Sequence, residues 1–145
     1  MAERAPQRRR GHTRVFVYGS LLAGEHNHRL LEGARFIGVD RTRAAFTLFD
    51  LGGFPAMATD GTVAVVGEIY EVDAAMLDAL DRLEGHPRFY TRTPIRLQSR
   101  RHAEVYVIPR ARIGSRPVIV GGDWKAHHHQ ASLASARAPR DRPAR

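Results

Sequence analysis

Only one stretch of this chain carries a clear helical period, and it is set among segments that read as strand. Met76, Leu77, Leu80 and Leu83 fall at helical spacing, with Asp78, Asp81 and Arg82 on the other face. Asp73 is a good N-cap, and Gly85 stands just past the last periodic residue, where helix ends favour glycine. The spacing predicts a helix over 74–83. Before it, Val15-Phe16-Val17-Tyr18 is β-branched and aromatic, a buried strand that Gly19-Ser20 stops. Residues 35–39, 45–51 and 63–72 are further strand candidates, and Gly67 inside the last implies a bulge or a close backbone approach. Gly52-Gly53-Phe54-Pro55 reads as a turn-rich loop, and residues 26–31 as a short helix ended by Gly33. After Gly85-His86-Pro87, residues 89–97 and 104–108 return to strand character, 118–120 is a last short strand, and Trp124 is expected to pack on the body. Several strands, one clear helix and no strand–helix–strand alternation give an α+β class, or a small barrel with helices outside it.

The charge separates the body from the ends. The net charge is +8, yet residues 1–14 and 125–145 each carry about +4, and the body between them is neutral. A nucleic-acid-binding fold would show a basic stripe on the body itself, so no specific nucleic-acid partner is expected. Residues 1–13 and 127–145 are read as disordered basic tails around a domain spanning 14–126. With no cysteine, disulfides, thiolate nucleophiles and zinc–thiolate sites are excluded. No apolar run approaches the roughly 18–20 residues of a membrane span, and no signal-like segment follows the basic start. A cytoplasmic protein with no membrane partner is the simplest expectation.

Two segments carry candidate chemistry. Glu84 sits where the predicted helix gives way to Gly85-His86-Pro87, beside Leu83 and Phe89. A carboxylate there meets the negative end of the helix dipole, and partial burial would raise its pKa toward the range of a general acid or base. Position alone reads more plainly as a surface glutamate in a last turn. The second segment is Tyr18-Gly19-Ser20-Leu21. A glycine after a buried strand lets a ligand approach the backbone, consecutive free N–H groups hold a carboxylate, and Ser20 adds a hydroxyl. It is not a nucleophile elbow, since only the first glycine of that motif is present, and no phosphate-binding or dinucleotide fingerprint occurs. The run His127-His128-His129 falls in the expected tail, and His26 and His28 are too closely spaced for a helical ligand pair, so no metal site is expected.

Taken together, VFVYGSL, GEHNHRLLEGA, GEIYEVDAAMLDALDRLEGHPRFYTRTPIRL and GGDWKAH, in that order, resemble the γ-glutamylcyclotransferase superfamily in its AIG2-like branch, which includes γ-glutamylamine cyclotransferase. The resemblance covers most of residues 14–126. It implies a small mixed β-barrel-like sheet with flanking helices. It also implies release of an amine from a small-molecule γ-glutamyl amide, with closure of the glutamyl group to 5-oxoproline and no cofactor. Carried over by match, Glu84 is the acid/base, Tyr18, Gly19, Ser20 and Leu21 bind the glutamyl part, and Tyr90 touches the substrate. Tyr106 and Trp124 receive no role. The leaving amine stays open, with Arg43, Arg88 and Arg92 as contributors to its pocket or as surface charges, and the oligomeric state is not readable. A non-catalytic ligand-binding or interaction module on the same fold is the alternative, because a fold does not dictate a function.

Overall fold

Val15, Phe16 and Val17 are almost wholly removed from solvent, and the reason lies in where their strand sits. In this computed structural model, which describes the backbone of residues 7–137 and the side chains of 7–130, β1 (Thr13–Val17) is the central strand of a five-stranded sheet. Its neighbours are β5 (Val66–Val72), antiparallel, and β7 (His102–Val107), parallel; β2 (Arg35–Arg41) and β6 (Thr91–Arg96) form the edges. A strand paired on both sides and covered on both faces reads as a continuous apolar run rather than an alternating one. A two-stranded sheet, β3 (Phe46–Asp50) with β4 (Pro55–Val63), packs across β7, and the Ile108 amide donates to the Met57 carbonyl at 3.0 Å. Among the described residues the five strands form an open row, so the expected α+β class is observed with a sheet that hydrogen bonds do not close into a barrel.

The predicted helix is α1 (Ala74–Glu84), one residue longer than its apolar period suggests. Asp73 caps its start by accepting from the Met76 amide at 2.8 Å, and Gly85 ends it in the left-handed conformation, φ 68°. Leu80 is the helix residue driven fully into the core. Residues 28–31 make a short 3₁₀ turn inside the expected 26–31 helix. Gly67 is a close approach and not a bulge: a side chain there would meet the Phe16 ring at 2.5 Å. The register shift falls instead on β2, between Phe36 and Gly38.

Several features depart from the reading of the sequence. Pro55–Val63 is a full strand, although Ala56, Ala58, Asp60 and Gly61 carry little β-propensity; its pairing with β3 and the burial of Ala56, Met57 and Ala58 supply what propensity does not. Beyond residue 126, where a disordered tail is expected, α3 (Trp124–Arg137) continues as helix. Its first turns are anchored: Trp124 is buried and donates to Glu25 at 3.2 Å, and His127 Nε2 lies 2.8 Å from Asp50 Oδ2. A short helix α2 (Arg110–Ile113) also forms, while Val118 makes a single bridge to Phe49 in place of a last strand. Residues 1–6 and 138–145 of the two expected tails lie outside the described residues.

A further departure concerns the basic N-terminus. The side chain of Glu71 on β5 is wholly buried, yet it is charged. Arg9 Nε (2.6 Å), Arg35 Nη2 (2.7 Å) and Arg14 Nε (3.4 Å) converge on its carboxylate. The chain is thus tied to the sheet at Arg9, ahead of the domain start expected at residue 14. Burial by itself would raise the pKa of Glu71; the hydrogen bonds from Arg9 and Arg35 overcome this and hold it at about 2. A pKa depressed on folding contributes stability above the unfolded value, lost as pH falls toward the folded one. Glu71→Gln should therefore destabilise the protein by up to about 3 kcal/mol at pH 7, since it removes the buried charge on which the three arginines converge. The gap from the parent should shrink between about pH 4.5 and pH 2, as read from denaturant unfolding across pH.

Candidate active site

The turn that leaves β1 is held by the hydroxyl of Tyr18. That hydroxyl donates to the Tyr106 carbonyl on β7 at 2.6 Å and accepts from the Met57 amide on β4 at 3.2 Å, so one buried group ties the end of β1 to both sheets. Gly19 is required by a close approach: a side chain there would come within 2.6 Å of Pro55 Cγ. The turn then closes on itself, the Leu22 amide donating to the Gly19 carbonyl at 3.0 Å. Asn27 braces it twice, its amide donating to the Ser20 carbonyl (2.9 Å) and its side-chain Nδ2 to Ser20 Oγ (3.0 Å). His28 Nδ1 donates to the Leu21 carbonyl at 2.8 Å. Among the described residues, no acceptor engages the amides of Gly19, Ser20 and Leu21. Braced on its carbonyl side, the turn keeps its N–H groups free, which is the arrangement that binds an anion.

Glu84 lies across from it. As the last residue of α1, it projects into a cavity of about 290 Å³ that Tyr18, Gly19, Ser20, Leu21 and Tyr90 also line. Every site residue expected from the sequence therefore borders one space. The side chain of Glu84 is half-buried, and burial alone pushes its pKa up to about 7. Three tyrosines face the same space, and all three hydroxyls are committed elsewhere. Tyr18 donates to the Tyr106 carbonyl, Tyr90 to the Pro55 carbonyl at 2.6 Å, and Tyr106 to Asp81 Oδ1 at 2.7 Å. Their pKa values are raised, first by burial and in part by the charge of Glu84, so they stay protonated near neutral pH. Among the described residues nothing hydrogen-bonds the Glu84 carboxylate, which leaves it available to a ligand.

Asp81 lies one turn before Glu84 and is its electrostatic opposite. The periodicity places it on the outer face of α1, but it turns inward to meet Tyr106, and Arg92 grips it through two bonds of 2.9 and 3.2 Å. Burial acts to raise its pKa; the hydrogen bonds from Arg92 and Tyr106 prevail and hold it below the ordinary aspartate value. Arg92 also bridges to Glu104 at 2.9 Å, so it is consumed in this network and does not line the cavity. Arg43 and Arg88 are absent from its lining too. Sequence reasoning missed the placement of Tyr106, Asn27, Phe54 and Pro55 around the cavity. Asn27 and Pro55 lie near recognisable turns, but no local pattern tells which partners they meet.

Known proteins resemble this chain in sequence and in fold. A putative gamma-glutamylcyclotransferase of Vibrio cholerae is 42% identical over 81 residues, covering 56% of this chain and 70% of the relative. Gamma-glutamylaminecyclotransferase A of Danio rerio is 38% identical over 93 residues, 58% of each chain. The crystal structure of an AIG2-like protein from Mus musculus superposes with a TM-score of 0.60, at 32% identity, covering 66% of this chain and 76% of that one. The sequence profile of the family described as "Gamma-glutamyl cyclotransferase, AIG2-like" matches residues 15–126, which take in the β1 turn, α1 and the first residues of α3. On that match, this chain belongs to the AIG2-like gamma-glutamyl cyclotransferase family.

Proposed function

We propose that this protein releases an amine from a γ-glutamyl amide by closing the glutamyl group to 5-oxoproline, with Glu84 as the general acid/base. The observation that carries this reading is a half-buried, unpaired carboxylate with a pKa of about 7, sharing a small cavity with a turn of free amides.

In this reading the amides of Gly19, Ser20 and Leu21 hold the α-carboxylate of the substrate, and Tyr90 walls the glutamyl chain. The substrate supplies its own nucleophile. Its α-amine attacks the γ-carbonyl and forms the ring C–N bond; Glu84 accepts the proton released from that nitrogen and returns it to the departing nitrogen as the original C–N bond breaks. The products are 5-oxoproline and the free amine, and no water is consumed. Attack within one held molecule carries an effective molarity of about 10⁵ M or more when well oriented. A carboxylate near pH 7 in pKa is matched to both halves of the proton transfer, whereas an ordinary glutamate would be too weak a base. Asp81, kept ionised by Arg92, positions Tyr106 and through its carbonyl Tyr18, and takes no part in the proton transfer.

Glu84→Gln should lower turnover of a γ-glutamyl amide by at least about 100-fold, while the folded protein still binds that amide. Measurement of 5-oxoproline release alongside calorimetric binding checks both, and near-normal turnover removes Glu84 from the reaction. The same residue makes a stability prediction whose sign is opposite to that of Glu71. Its pKa is raised on folding, so its contribution is complete below the unfolded value of 4.5 and is lost as pH rises to about 7. The Gln variant lacks this loss. It should gain stability relative to the parent between about pH 4.5 and pH 7 and hold that gain above pH 7, as read from thermal melting across pH.

A further inference from the structure

Phe54 and Phe89 line the Glu84 cavity, and they also line a second cavity of about 160 Å³ behind it. Their rings stand 6.4 Å apart between centroids, and both are exposed at 39% and 47%, which is unusual for side chains of this size. The pair is therefore a partition between two spaces and not part of the core. Behind it the walls are Leu51, Ile108 and Ile113, with Arg112 and Arg116.

The charges in the two cavities are complementary to a particular kind of molecule. Among the described residues, Glu84 is the only carboxylate lining the first cavity, and the two arginines are the only charged groups lining the second. Arg112 is oriented by the carbonyls of Arg88 and Phe89, and Arg116 by the carbonyl of Leu51 at 3.0 Å. These bonds fix direction without neutralising charge. Their neighbour Arg110 differs, since it has an acidic partner, Asp60, at 3.6 Å. Two aimed guanidinium groups at the end of an apolar groove suit an anion and repel a cation.

We propose that the second cavity receives the far end of the leaving amine. That amine has an apolar stem, which lies across the exposed side of the Phe54–Phe89 pair, and an anionic terminus, which Arg112 and Arg116 hold. This rests on the reading of the first cavity as the γ-glutamyl site. It makes the preferred substrate the γ-glutamyl amide of an ω-amino acid or a similar acid-tailed amine, and it disfavours polyamine amides.

The test uses three γ-glutamyl amides with the same six-carbon stem, made from 6-aminohexanoate, hexylamine and 1,6-diaminohexane. Binding is measured by calorimetry on full-length Glu84→Gln protein, which separates recognition from turnover. The acid-tailed amide should bind about tenfold more tightly than the neutral one, a size in keeping with two exposed charge contacts, and the cationic amide should bind most weakly. Raising the ionic strength should shrink the preference. Arg112→Gln combined with Arg116→Gln keeps a donor for the Phe89 and Leu51 carbonyls but removes the charge, and should bring the acid-tailed and neutral amides to equal affinity. Equal binding of all three, a preference that survives the double substitution, or no binding of any of them overturns the proposal. Release of 5-oxoproline by the unsubstituted protein is scored separately. Ordered binding without product sinks the cyclisation reading and leaves the distal site standing; product without the ordering does the reverse.

Discussion

The hydroxyl of Tyr18 is the point at which the fold becomes a site. It donates to the Tyr106 carbonyl and accepts from the Met57 amide, two buried main-chain groups on different sheets. Because β1 is enclosed by β5 and β7, its end has little freedom, and the Tyr18 hydroxyl locks β4 against it. Pro55, at the start of β4, then comes so close to Gly19 that only glycine fits. The free amides that follow are a consequence of this packing, since every bond that braces the turn goes to a carbonyl or to Ser20 Oγ.

The second organising element is the pair of carboxylates at the end of α1. Asp81 and Glu84 are one helical turn apart and have the same intrinsic chemistry, yet their environments drive them in opposite directions. Asp81 meets a guanidinium and a phenol and remains an anion; Glu84 meets only walls and is poised near neutrality. Separated pKa values in neighbouring carboxyl groups are a recurring means of dividing structural from chemical work. Here the divergence of the two pKa values depends on strands far away in the chain: Arg92 comes from β6 and Tyr106 from β7.

Local sequence was a good guide where local forces decide. The Asp73 cap, the apolar period and Gly85 define α1 from within, and the β-branched run 15–17 announces β1. It failed where distant contacts decide. Residues 55–63 have the composition of a loop and become β4 because β3 offers a partner and the core accepts Ala56, Met57 and Ala58. Residues from Trp124 onward have the composition of a tail, and the contacts of Trp124 with Glu25 and of His127 with Asp50 hold the first turns of α3 against the body. The arginines of the N-terminus look like solvated charge until Glu71 is seen beneath them.

By itself, then, the sequence determined the one strong helix, the central strand, the α+β class and the two segments from which a site would be built. These follow from periodicity, capping and turn chemistry, all of which act within a few residues. Only the tertiary structure decided that Glu84 and the β1 turn face one cavity, that Asp81 and not Glu84 is neutralised by a cation, and that a second, arginine-lined space lies beyond Phe54 and Phe89. Desolvation and charge pairing depend on what arrives from elsewhere in the chain, and no local pattern encodes that.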